Sequence, residues 1–283
     1  MHKELTQRIV EGWIRGTQGQ WSVEKLDREL GIGSAEGKAH RRVILHRLKE
    51  EGLIKRDPEK EGWYRLVVTE LDTLPWQEAD TANTVDILLP FDIHELVKIF
   101  PKNILVIAGA PNAGKTAFCF NFIHLNHHRP ELAHLLPIQY FTSEMGAEEL
   151  KERLGYIPDS DWNFVAKERS SDFADVIHPD KINVIDYLEI EESFYLVAQE
   201  LREIHEVLRT GIALIAIQKN ANVSLGVGGR FSLDKPRLYL SMDSGSLTLT
   251  KAKNWRDRER NPNGKCWKFS LVNGWKFIIK KGD

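Results

Sequence analysis

Cysteine is scarce in this sequence: only Cys119 and Cys266 occur, far apart in the chain. Two thiols placed like that exclude a disulfide scaffold and a four-cysteine zinc site, and a reducing, cytoplasmic home is expected. Long hydrophobic runs are missing too. No stretch approaches eighteen consecutive apolar residues, so a transmembrane helix is excluded and no membrane partner is expected. The opening MHKELTQRIVEGW is charged and amphipathic, unlike a signal peptide. Internal repeats and low-complexity tracts are absent, which sets aside solenoids, collagen and wholesale disorder.

What is present is ordinary globular composition. The 283 residues are 42% hydrophobic and 28% charged, enough for one large domain or two modest ones. The net charge of -2 hides an uneven distribution. Residues 1–68 carry 14 Lys/Arg against 11 Asp/Glu, residues 251–283 carry 10 against 3, and the stretch between carries 15 against 27. A chain sorted this way presents different surfaces to different partners.

Residues 4–17 read as an amphipathic helix, with Leu5, Ile9, Val10, Trp13 and Ile14 near helical spacing. Ser22 is placed to cap a second helix that carries Val23, Leu26 and Leu30. A third helix is expected from Ala35 to Glu51, with Ala39, Val43, Ile44 and Leu48 inward. Its outer face is expected to carry Lys38, His40, Arg41, Arg42, His46, Arg47 and Lys49. A short hairpin around Asp57-Pro58-Glu59-Lys60 follows. Three helices and a hairpin, with the words LDRELGIG and HRLKEEGLIKRD, resemble a small winged helix-turn-helix domain over residues 1–68. That resemblance implies a third helix in the major groove of duplex DNA, with Lys38, Arg41 and Arg42 as contact candidates. Such domains also serve as protein-docking modules. Residues 69–86 are acidic and aperiodic and read as a linker.

From residue 87 to 283 strands and helices alternate. Residues 104–108, a continuous apolar run, and 139–142, 182–185 and 212–217 read as strands, separated by helices near 114–125, 147–154 and 193–208. The α/β alternation predicts a parallel sheet with right-handed crossovers. The tail, with strands such as LYL, LTL and WKFSL, is expected to add antiparallel strands at the sheet edge.

The strongest signal is Gly109, Ala110, Pro111, Asn112, Ala113, Gly114, Lys115 and Thr116, which fit G-x-x-x-x-G-K-[ST] between an apolar strand and a helix. Glycines let successive backbone N–H groups turn toward phosphate oxygens, and the helix N-terminus adds positive potential. Lys115 is suited to the β- and γ-phosphates of ATP, and the Thr116 hydroxyl to Mg²⁺. Asp186, at the end of 182–185, offers a carboxylate for the Mg²⁺ hydration shell. Glu144, after 139–142, is placed to orient or deprotonate water, and Gln218, after 212–217, to sense the γ-phosphate. All three fall at the carboxyl ends of strands, where open α/β sheets bind ligands.

GAPNAGKT, YFTSEM, INVIDYL and IALIAIQKN, in that order, resemble the RecA-like P-loop ATPase core, above all the motor domain of DnaB-type replicative helicases. The resemblance covers roughly residues 86–283. It implies ATP and Mg²⁺ as cofactors, with Glu144 as catalytic base, Lys115 on the phosphates, Gln218 as sensor, and Thr116 and Asp186 on the metal. It also implies a homo-oligomeric ring or filament with nucleotide at subunit interfaces. A basic finger would then enter from the neighbouring subunit. The family shows Lys-x-Arg there; here the candidates are Lys251, Lys253 and Arg256. The long glycine-rich loop after Gln218 would grip single-stranded DNA, with Lys219 and Arg230 as contacts. Together these imply a helicase or translocase. An ATP-switched regulator and a recombinase-like ATPase that unwinds nothing stand as alternatives.

Overall fold

A computed structural model of the chain describes residues 5–17, 19–67, 73–158, 161–188, 194–221 and 223–280, the side chains of 194–196 and 231 excepted. The chain divides into two compact units, Met1–Ala79 and Asp80–Asp283. The stretch read as a linker divides at that point, because Val85 and Ile87 are buried in the second unit.

The first unit holds helices α1 (Gln7–Gly16), α2 (Val23–Leu30) and α3 (Ala35–Glu50) and strands β1 (Gln20–Ser22), β2 (Ile54–Arg56) and β3 (Trp63–Leu66). Each helix begins on a hydroxyl. Thr6 accepts from Ile9 N, Ser22 from Lys25 N and Ser34 from Gly37 N. The strands form an antiparallel sheet in the order β1-β3-β2. Its core is Val10, Ile14, Trp21, Leu26, Ile44, Leu45, Leu48 and Ile54. Trp21 stacks on Tyr64, with ring centroids 5.3 Å apart.

Helix α3 is rotated from the sequence expectation. Arg41, Ile44, Leu45 and Leu48 face inward, at the i, i+3, i+4, i+7 spacing of one stripe. Val43 is 49% exposed and Ala39 is exposed. Arg41 therefore does not belong to the outer basic face. Its stem packs inside and its guanidinium pairs with Asp27 of α2. Lys38, His40, Arg42, His46, Arg47 and Lys49 remain exposed.

The second unit is built on a nine-stranded sheet in the order β12-β11-β10-β9-β4-β8-β7-β5-β6. The strands are β4 (Ile104–Gly109), β5 (Ile138–Thr142), β6 (Phe164–Glu168), β7 (Ile182–Leu188), β8 (Ile212–Gln218), β9 (Leu238–Asp243), β10 (Ser246–Ala252), β11 (Cys266–Val272) and β12 (Lys276–Lys280). Helices α4 (Lys115–Asn126), α5 (Ala147–Gly155) and α6 (Phe194–Val207) complete it. Strand β4 is buried throughout because both of its faces are covered. Leu105 and Ile107 pack with Phe118 and Phe122 of α4. Ile104, Val106 and Ala108 pack on the other face with Val197, Leu201 and Ile204 of α6.

Three features differ from the sequence reading. Strand β9 runs parallel to β4, in register Leu105↔Leu238, so antiparallel pairing begins only with β10. Strand β6, an edge strand exposed over most of its length, has no counterpart in the sequence reading. The strand holding Asp186 continues to Leu188, so Asp186 lies inside β7 and does not end it. A buried carboxylate is tolerated there because two hydroxyls bond it.

Candidate functional site

The glycine-rich loop leaves the end of β4 and enters α4. Asn112 and Gly114 both take left-handed backbone conformations, with φ of 57° and 108°. Asparagine tolerates that region and glycine adopts it at no steric cost, so the loop curls tightly ahead of Lys115. Lys115 Nζ donates to Gly109 O at 3.2 Å and Ala110 O at 3.3 Å. It also lies 5.7 Å from the Tyr187 ring centroid. Burial lowers the Lys115 pKa, while the Asp186 and Glu144 carboxylates pull it back up.

Asp186 is 3% exposed. Tyr140 donates its hydroxyl to Asp186 Oδ2 at 2.9 Å and Thr116 to Oδ1 at 3.3 Å. Burial pushes the Asp186 pKa up; the two hydroxyls and Lys115 oppose that, and Glu144 adds to it. Glu144 occupies the turn after β5 and is exposed. That turn is fixed by Thr142 Oγ1, which accepts from the backbone N–H groups of Glu144 and Met145, both at 3.3 Å. Gln218 ends β8, directly opposite Gly109.

Lys115, Thr116, Glu144 and Gln218 line one cavity of about 340 Å³. Asp186 lies buried behind this lining, where Thr116 bonds it. A hydroxyl and a carboxylate meeting there are the oxygen donors a hard cation takes. An adjacent cation would also favour the ionised form that burial disfavours. Thr116 and Asp186 thus fit a magnesium ion.

Several lining residues went unrecognised in the sequence. Arg153 and Glu149 of α5 border the cavity and pair with each other at 2.7 Å. Tyr187 is a further one. The β11–β12 hairpin supplies Leu271 and Gly274. Asn121 of α4 ties that hairpin down, donating to Trp275 O at 2.6 Å and to Ala117 O at 2.7 Å. The Asn273-Gly274 turn was a legible hairpin signal, but its docking over the loop was not.

The remaining candidates lie elsewhere. Register places Lys251 opposite Tyr239, itself opposite Val106, while Lys253 N–H bonds Arg237 O, whose own N–H bonds Ile104 O. Lys251 and Lys253 therefore sit at the end of the sheet away from their own glycine loop. Arg256 bonds the 94–96 segment through Nε to His94 O at 3.1 Å and through its backbone N–H to Leu96 O at 2.9 Å. The Lys251 ammonium donates to Leu233 O, and burial, then Lys253 and Arg237, lower its pKa. Lys253 is exposed. Trp255 packs against the core, and its indole N–H bonds Ala252 O at 2.8 Å.

Lys219 is the plainest correction. It is 1% exposed, and its ammonium bonds Asp243 Oδ1 and Val223 O, both at 2.7 Å. A cation enclosed this way does not reach a DNA phosphate. Arg230, by contrast, is exposed.

A mostly parallel sheet with covered faces and a glycine-rich loop at the end of its central strand define the RecA-like P-loop fold. Among solved structures, the chain is similar to a KaiC-like protein from the hyperthermophilic archaeon Pyrococcus horikoshii. The two are 15% identical with a TM-score of 0.51, over 70% of this chain and 99% of that one. No family model matches the sequence, and no curated protein does. No helix among the described residues is long and apolar enough to cross a membrane.

Proposed function

We propose that this chain is an ATP hydrolase that acts as a helicase or translocase on single-stranded DNA, with nucleotide held at the interfaces of a homo-oligomeric ring or filament. The observation that carries the reading is the meeting of Lys115, Thr116, Glu144 and Gln218 in one cavity above the buried Asp186. The loop N–H groups and the Lys115 ammonium hold the triphosphate. Thr116 and Asp186 would hold Mg²⁺, which would supply positive charge to offset the negative charge developing on the phosphate oxygens. Glu144, exposed at the cavity edge, orients the attacking water and accepts its proton. Oxygen then bonds to the γ-phosphorus as the bond to ADP breaks. Gln218 stands where the leaving γ-phosphate is felt. Lys253 and Arg256, at the far end of the sheet, are available to a neighbouring copy's nucleotide rather than to their own.

The N-terminal unit is read as a winged helix-turn-helix. An ATP-switched DNA-binding regulator is the second reading, favoured by one feature: Arg42, His46, Lys49 and Arg56, beside Glu24 and Glu61, line a groove between α3 and the β2–β3 hairpin. ATP turnover, measured alone, with single-stranded DNA and with duplex DNA, separates the two. Stimulation by single strands of any sequence is the motor's signature; stimulation by one duplex alone belongs to the regulator. Lys115→Ala should lower turnover by about a hundredfold or more, as loss of a phosphate-stabilising donor does. Undiminished turnover in that variant overturns the hydrolase reading.

A further inference from the structure

The ion pair between buried Lys219 and half-buried Asp243 plays no part in the chemistry above, yet both of its ends attach to the glycine loop. Lys219 N–H donates to Gly109 O at 3.1 Å. Asp243 follows Met242, whose carbonyl accepts from Ala110 N–H at 3.2 Å. The residue before Lys219 is Gln218, which lines the nucleotide cavity. On its other side the Lys219 ammonium holds Val223 O, so it also pins the segment 223–230.

That segment is stitched to the sheet at two more places, one on β8 and one on β9. Val227 N–H donates to Gln218 O at 2.7 Å, and Gly226 N–H to the Tyr239 hydroxyl at 2.8 Å. A Cβ on Gly226 would lie 2.5 Å from Ile217 Cδ1 and 3.0 Å from Gln218 O, so only glycine permits this approach. Outward, the segment presents Val223, 48% exposed, and Arg230.

We propose that Lys219 is a positioning residue that couples the nucleotide cavity to the 223–230 segment. Its ammonium joins the Val223 carbonyl to the Asp243 carboxylate directly behind the glycine loop. The inference rests on the function proposed above. The two sites are linked by a short, contiguous chain of bonds, the kind of connection through which coupling travels. A shift of Gln218 on arrival or loss of a γ-phosphate moves the Lys219 backbone, and the ammonium carries that shift to Val223. A coupling free energy acts in both directions, so a strand bound at 223–230 alters nucleotide affinity by the same factor.

The test uses the full chain. Backbone amide hydrogen exchange at 223–230 is followed with Mg–ADP and with a Mg-bound non-hydrolysable ATP analogue, and binding of an oligothymidylate is followed by fluorescence anisotropy in the same two states. In the unaltered protein, exchange and oligonucleotide affinity should both differ between nucleotides, the affinity by about tenfold. In Lys219→Met the difference should collapse to near unity, while nucleotide affinity stays within about threefold. A purely structural role would lower stability or affinity equally in both states and leave their ratio intact. Should Lys219→Met fail to fold, Asp243→Asn keeps an acceptor oxygen in place and sheds only the charge; it should reduce the ratio in part. A ratio as large in these variants as in the unaltered protein overturns the proposal, as does a segment indifferent to nucleotide in a chain that binds it. That last result leaves hydrolysis standing, whereas a chain that retains no nucleotide loses the function and the coupling together.

Discussion

Glu144→Gln is expected to bind nucleotide as tightly as the unaltered chain and to turn it over about 10²–10⁴-fold more slowly, the usual contribution of a positioned base. The substitution is nearly isosteric and removes only proton-accepting power. The turn that carries it should survive, because Thr142 Oγ1 holds that turn through backbone N–H groups. Glu144 also helps raise the Lys115 pKa. Its loss therefore leaves Lys115 with Asp186 as its principal counter-charge and does not strip the phosphate cation of support. Equilibrium binding of a fluorescent ATP analogue and steady-state phosphate release check the two halves separately. Normal turnover would show that the base is another group.

Asp186→Asn should divide stability from activity. The folded carboxyl has a raised pKa because burial disfavours its charge. The folded chain thus keeps that proton to higher pH than the unfolded chain does. Its stability penalty is absent below the unfolded value, grows as pH climbs past it, and is complete above the folded value. Asparagine carries no such penalty and can still accept a hydroxyl hydrogen bond. The variant should melt a few degrees higher near neutral pH, each kcal/mol recovered being worth about 2–4 °C in a unit of this size. The advantage should fade as pH falls below the ordinary aspartate value of about 4, where the carboxyl becomes protonated in the folded and the unfolded chain alike. Turnover should drop at least about a hundredfold, since the oxygen that holds the metal has lost its charge. Calorimetry over that pH range, beside an activity assay, tests the pairing of effects. A variant that melts lower at neutral pH, or hydrolyses ATP normally, removes Asp186 from the role assigned to it.

Much of the second unit was legible because its signals are local. The run 104–108 is apolar at every position, which only a strand covered on both faces requires. The glycine-rich octapeptide lies where its spacing puts it, and Glu144 and Gln218 border the same cavity. What was not legible depends on distant partners. Lys219 in a glycine-rich loop looks solvated until Asp243, on another strand, is seen beside it. Arg41 looks like part of a basic stripe until Asp27 fixes which side of α3 turns inward. The direction of β9 depends on which neighbour it pairs with, and its three-residue apolar core carries no record of that. Strand β6 lacks the apolar alternation that marks a half-buried strand.

The hairpin of β11 and β12 closes one wall of a cavity whose glycine loop comes from far earlier in the chain. A ribosome makes the octapeptide at 109–116 long before it makes Leu271 and Gly274. A half-made polypeptide therefore has the glycine loop but not the hairpin wall beside it. The cavity is walled in full only once β11 and β12 have paired with each other.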